Sequence, residues 1–191
     1  MDRRRIRISI EIALTIALAT VLSMFTVLKM PYGGSVSLGM LPLIVIALRR
    51  GLGPGLAAGA LYGVVDLMID PYIVHWVQPI LDYPVAYAMV GLAGIVRAPL
   101  ARAMDSGAAL SAGVIMAGGV AIAAIGRYAA HFVSGMVFFS EHAPEGQAVW
   151  LYSALYNLYV PASAAASLVA AWVLVPLLAR VVPPGPEPDG R

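Results

Sequence analysis

The chain has 191 residues, of which 61% are hydrophobic and only 12% charged, and its mean hydropathy is +0.86. Soluble domains average about 25% charged residues, so this composition excludes a soluble globular protein and implies an integral membrane protein built as one compact bundle. Cysteine is absent, which excludes disulfides and cysteine-ligated metals, and the pI near 9.0 comes from arginines at segment ends, a pattern of topology rather than of a nucleic-acid partner.

The N-terminus places Arg3, Arg4, Arg5 and Arg7 ahead of an apolar run. It has the outline of a signal peptide, but the run reaches Leu28 and further spans follow, so it reads as a retained first helix from about Ile8 to Leu28. Ala13 and Ala17, with Ala19 nearby, make a small-xxx-small seam that lets another helix approach; an ordinary internal packing seam explains them as well. Glu11 sits one turn inside the membrane edge, where a neighbouring arginine could pair with it. Lys29 to Ser37 is a turn-rich loop containing Pro31, Tyr32, Gly33, Gly34 and Ser35. A second helix, Leu38 to Leu48, ends in Arg49 and Arg50 and is too short to cross a bilayer untilted. Gly51, Gly53, Pro54 and Gly55 form a tight turn; the spacing is wrong for a dinucleotide fingerprint and no strand precedes it.

A third helix runs from about Leu56 to Ile69 with Asp66 inside it and Asp70-Pro71 at its end. The loop Pro71 to Pro79 carries Tyr72, His75, Trp76 and Gln78. A fourth helix, Pro79 to Leu100, has Asp82 and Tyr83 in its first turn, where the helix dipole favours a carboxylate. The fifth helix is predicted over Ala108 to Phe139, and the sixth over Gln147 to Val182 with a kink at Pro161. The tail Pro183 to Arg191 is proline-rich and polar and reads as disordered. The expected domain is therefore 1–182, followed by a short cytoplasmic tail.

With six helices, the arginines at 3, 4, 5, 7, 49, 50, 97, 102, 180 and 191 fall on one side, only Lys29 falls on the other, and Arg127 lies within a helix. The positive-inside rule then puts both termini in the cytoplasm. The expected fold is an all-α, six-transmembrane-helix bundle, multi-pass in a cell membrane.

The stretch Gly126 to Asn157 departs from generic membrane sequence. Arg127, His131 and Gly135 recur every four residues and form one stripe on a helix. Ionisable groups in a membrane helix cost about 2.5–3.5 kcal/mol each and mark functional sites by default. Asp82, His131, Asn157 and several aromatics converge on the outward side in this topology. Together they suit a small organic cation with an aromatic ring: a carboxylate for charge, ring faces for stacking, and His or Asn for orientation. Each residue also has a plainer explanation. Asp82 could cap its helix, His131 could be a satisfied core histidine, and Arg127 could pair with Asp66 or Asp82. Tyr152, Tyr156 and Tyr159 could belong to an interfacial belt. Tyr152 and Asn157 lie about 140° apart on a regular helix, so both reach one ligand only if that helix is irregular or the pocket wraps its end.

Signals for catalysis are weak. Asp66, Asp70, His75 and His131 could be drawn as a metal set, but no pair has recognisable ligand spacing. The sole lysine, Lys29, is followed by Met30, so there is no P-loop. Energy for any uptake would come from an ion gradient or another subunit, and paired inverted repeats are not evident.

Four stretches carry a family resemblance: YGGSVSLGMLPLIVIALRRG (Tyr32 to Gly51), HWVQPILDYPVAYAMVGLAGI (His75 to Ile95), GRYAAHFVSG (Gly126 to Gly135) and APEGQAVWLYSALYN (Ala143 to Asn157). They resemble the ThiT family, the thiamine-specific S-components of energy-coupling-factor (ECF) transporters. The resemblance implies a non-enzymatic, cofactor-free subunit that binds thiamine at its outer side. Its implied partners are a transmembrane coupling subunit and two cytoplasmic ATPases. It carries ligand roles onto Asp82, Tyr83, His131, Gly135, Tyr152 and Asn157, and the docking seam onto Ala13 and Ala17. Two positions depart from the family pattern: Asp82 stands where Glu is expected, and Phe139 where a stacking Trp is expected, while the first loop has no Trp. An S-component for another vitamin or a thiamine precursor, or an intramembrane metal-dependent enzyme, are the competing expectations.

Overall fold

A computed structural model of the chain describes residues 3–181. The helices are α1 (Arg3–Met24), α2 (Met40–Arg50), α3 (Leu52–Ile69), α4 (Gln78–Asp105), α5 (Ala109–Phe138), α6 (Val149–Tyr156) and α7 (Tyr159–Val181). A short antiparallel hairpin, β1 (Thr26–Lys29) with β2 (Ser35–Ser37), follows α1. Five stretches among the described residues are long and apolar enough to cross a membrane: α1, α3, α4, α5, and α6 with α7 taken together over Val149–Leu178. The predicted tail, 183–191, lies outside the described residues, as does Val182.

The short second helix expected from the sequence is α2. Its 11 residues rise only about 16 Å, roughly half the hydrocarbon thickness. It is nevertheless the centre of the core: Leu43, Ile44 and Ala47 are wholly buried, with Met40 and Leu48 nearly so. A helix apolar on all sides is stable only when surrounded, and α2 packs against α1, α3, α4 and α7. Gly51 ends it and starts α3 in a single residue, with φ 88° and ψ −173°, a region open to glycine alone. Pro54 then falls in the first turn of α3, where a missing N–H costs nothing.

Three expectations need correction. The first helix stops at Met24 rather than Leu28, and Thr26–Lys29 is a strand, so the fold is helical with one small hairpin rather than strictly all-α. β-branched Thr26 and Val27 favour extended backbone, and Gly33 and Gly34, both at φ 88°, turn the chain back. Second, α4 is a composite: a π-turn at Leu81–Val85 and a 3-10 segment at Gly91–Val96 interrupt it. Pro84 has no N–H for the regular ladder, and the Ala86 N–H reaches back five residues to the Leu81 carbonyl. Third, the last span breaks at Asn157 and Leu158, not at Pro161. A proline ring clashes with the carbonyl four residues before it, and four before Pro161 is Asn157.

The closest helix contact is α3 on α4. Gly55, Gly59 and Gly63 recur every fourth residue, and a Cβ at Gly59 would run into the Tyr87 carbonyl, one at Gly63 into that of Tyr83. This stricter small-xxx-small seam sets Tyr83 and Tyr87 beside Asp66. At the opposite end of the bundle, Arg50 grips Glu11 through both carboxylate oxygens at 2.5 Å each, and Arg7 joins at 3.4 Å. Glu11 thus finds the arginine partner the sequence suggested.

Candidate binding cavity

A cavity of about 690 Å³ opens at the end of the bundle that carries Lys29. The hairpin and the 70–72 corner form its rim, and α4, α5 and α6 supply its walls. Asp82, Tyr83, His131, Gly135, Phe139, Tyr152 and Asn157 all line it.

At its polar end the Asp82 carboxylate is held by three groups. Oδ1 lies 3.0 Å from His131 Nδ1, while Oδ2 accepts from Gln78 Nε2 and Ser134 Oγ, each at 2.7 Å. His131 is 8% exposed, and its Nε2 is buried without a protein partner. Asn157 Nδ2 donates to the carbonyls of Ser153 (2.9 Å) and His131 (3.3 Å), while Ser153 Oγ donates to the Phe132 carbonyl (2.8 Å). These bonds staple α6 to α5. Gly135 permits the approach, since a side chain there would overlap Ser153 Oγ. The space that glycine frees is therefore occupied in part by Ser153.

Tyr83 is committed to the scaffold: its hydroxyl donates to the Asp70 carbonyl (3.0 Å) and accepts from the Tyr72 N–H (2.8 Å). Tyr72 in turn stacks on Phe139, centroids 6.1 Å apart and planes at 19°. Tyr32 packs edge-on against His142 at 4.3 Å and stacks with Tyr156 at 6.3 Å. The Tyr156 hydroxyl donates to the Gly33 carbonyl and accepts from the Tyr32 N–H. Tyr152 lies 5.7 Å from Tyr156. The mouth is thus a ring of aromatic faces tied to the hairpin. α6 is regular through Tyr156 and the Asn157 N–H still bonds the Ser153 carbonyl at 3.2 Å, so Tyr152 and Asn157 line one cavity because the cavity wraps the end of the helix.

Arg127 does not pair with Asp66 or Asp82. Among the described residues no ion pair joins it to a carboxylate; its guanidinium lies 4.2 Å above the Tyr87 ring, at 5% exposure. Such stacking suits a weakly hydrated planar cation. The lining carries three carboxylates, Asp66, Asp70 and Asp82, against two cations, Lys29 and Arg127. The supposed metal set also separates: His75 stacks on Phe138 away from the cavity, and no His, Asp or Glu cluster suited to a metal occurs among the described residues. Trp76, 78% exposed, is likewise outside the lining.

The family model described as "Thiamine transporter protein (Thia_YuaJ)" matches residues 9–183. The chain belongs to this family. Among its relatives, the thiamine transporter ThiT of Bacillus subtilis is 41% identical over 155 residues, covering 81% of this chain and 80% of the relative. ThiT of Lacticaseibacillus paracasei is 35% identical over 149 residues, covering 76% and 73%. The solved structure of ThiT from Listeria monocytogenes superposes with a TM-score of 0.80 at 27% identity, covering 95% of this chain and 97% of that one. Family and fold together make this a multi-pass cell-membrane protein of a transporter family, not an enzyme family.

Sequence reasoning missed several residues that build the polar end of the cavity. Gln78 is four residues before Asp82 and Ser134 three after His131; those spacings put side chains on one helix face and could have flagged both. Ser153, four before Asn157, is a third case. Ala13 and Ala17 lie on the exposed face of α1, flanked by exposed Ile10, Leu14 and Leu18, while Thr15 and Ala19 face the bundle. They are not an internal seam.

Proposed function

We propose that this protein is the substrate-binding S-component of an ECF-type thiamine uptake transporter. The observation that carries the reading is the cavity itself, where an Asp82–His131 pair at 3.0 Å lies below a mouth of aromatic faces. Its lining holds one more carboxylate than cations, which suits a monovalent ring cation such as thiazolium. Attraction to the carboxylate excess and to ring faces holds the cation, and Asn157, His131 and Gly135 bound the polar end. Tyr83 acts through the 70–72 corner, and Phe139 supplies a stacking face in place of a tryptophan.

Six membrane helices, with both termini cytoplasmic, are supported by the five long spans plus buried α2. The same bundle end gathers Arg7, Arg49, Arg50 and Arg97: Arg50 bonds Glu11, and Arg97 Nε donates to the Arg49 carbonyl at 3.0 Å. By the positive-inside rule that end is cytoplasmic, so the cavity faces outward. The domain then spans 1–182, with 183–191 as a cytoplasmic tail. Ala13 and Ala17, small and outward-facing on α1, form the docking seam for a coupling subunit that joins two ATPases.

Uptake of labelled thiamine in cells devoid of thiamine transport tests this. Uptake that requires co-expression of a coupling subunit and ATPases is the expected result. Uptake by the chain alone would instead make it a stand-alone carrier.

A further inference from the structure

Asp82 lies in the cavity wall, yet both of its oxygens are already engaged by protein donors. Gln78 Nε2 and Ser134 Oγ converge on Oδ2 at 2.7 Å each, and His131 Nδ1 meets Oδ1 at 3.0 Å. An ionised carboxylate only accepts. The His131 Nδ1 must therefore carry the proton in this contact. In the neutral imidazole that leaves Nε2 as a bare lone pair. Nε2 is the buried ring atom with no protein partner. The imidazolium would put an N–H there instead, buried without an acceptor, at the full cost of desolvation.

We propose that Gln78 and Ser134 are positioning residues that lock the Asp82 carboxylate onto His131 Nδ1 and so fix the ring as the Nδ1-protonated tautomer. Gln78 is 2% and Ser134 1% exposed, so neither is placed to contact a ligand broadly. Gln78 is itself fixed: Nε2 also donates to the Tyr72 carbonyl (3.1 Å) and Oε1 accepts from the Val74 N–H (3.2 Å). The rim corner at 72–74 and the carboxylate are thus held by one side chain. The consequence is a carboxylate held at one place in the cavity wall, with its orientation set by two side chains. Resting on the thiamine reading, loosening that lock weakens thiamine binding, because the carboxylate that attracts the cation is no longer held in place.

The test is nitrogen NMR of detergent-purified protein labelled with 15N-histidine, first without ligand. The chain has three histidines, and His131→Gln assigns the signal of interest. The expected spectrum shows His131 with a protonated Nδ1 and an unprotonated Nε2. Ser134→Ala and Gln78→Leu, each alone, shift that signal toward a tautomer mixture and weaken thiamine binding by about tenfold, the worth of one hydrogen bond to a charged group. Ser134→Thr, which keeps the hydroxyl, restores both. An Nε2-protonated His131 in the wild type overturns the proposal, as does an unchanged tautomer in both variants. The wild-type spectrum decides the tautomer even if a variant fails to fold. The ligand-free arm also separates this proposal from the thiamine reading: the expected tautomer in a protein that ignores thiamine sustains the one and removes the other.

Discussion

Replacing Asp82 by Asn changes the charge of the cavity with almost no change of volume. The lining goes from one excess negative charge to none. A ligand cation about 6 Å from the carboxylate gains about 3 kcal/mol at an effective dielectric constant of about 20. Losing that term raises Kd roughly a hundredfold. The donors add to the loss: Gln78, Ser134 and His131 all meet carboxylate oxygens, and an amide offers one acceptor oxygen in place of two, so at least one donor loses its bond. Isothermal titration with thiamine reads the effect, with Glu145→Gln, exposed and outside the cavity lining, as the charge control. Affinity of Asp82→Asn within about threefold of wild type would refute the electrostatic account of the site.

Gly135→Ala drives a methyl group into Ser153 Oγ, an overpacking cost of about 1–3 kcal/mol that should appear as a lower Tm and weaker thiamine binding together. Ala13→Trp with Ala17→Trp fills the exposed seam of α1; binding by the isolated protein stays intact, while co-purification with a coupling subunit and uptake are lost. Glu11→Gln strips the charge from the carboxylate held by Arg50, whose side chain is only 9% exposed. Stability should fall by about 1.5–3 kcal/mol, read as Tm, with thiamine affinity unchanged because Glu11 lies outside the cavity lining.

The membrane class and the succession of helices were legible because hydropathy and arginine placement are local properties of the chain. The aromatic mouth was legible only as separate tyrosines; its geometry depends on the hairpin, and the hairpin was hidden because Thr26 to Leu28 continue the apolar run of α1. The sequence marks a kink at Pro161, although the steric effect of that ring falls on the carbonyl of Asn157. The break therefore falls beyond the Asn157 N–H, and Tyr152 and Asn157 share one lining because the cavity wraps the end of α6. The sequence suggests a carboxylate partner for Arg127, since a ring face is not an obvious sink for a buried cation, yet Tyr87 lies 4.2 Å beneath it. The α3 glycines at 55, 59 and 63 were visible, but a seam alone does not say which helix it meets; their opposition to α4 is a tertiary fact.

Calorimetric titration of the purified wild-type protein with thiamine tests the central claim most directly. Fluorescence is the poorer probe, since Trp76, Trp150 and Trp172 all lie outside the cavity lining. The account predicts saturable one-to-one binding that competing riboflavin and biotin do not displace. A folded, monodisperse sample that gives no heat with thiamine, or that prefers another vitamin, would contradict it.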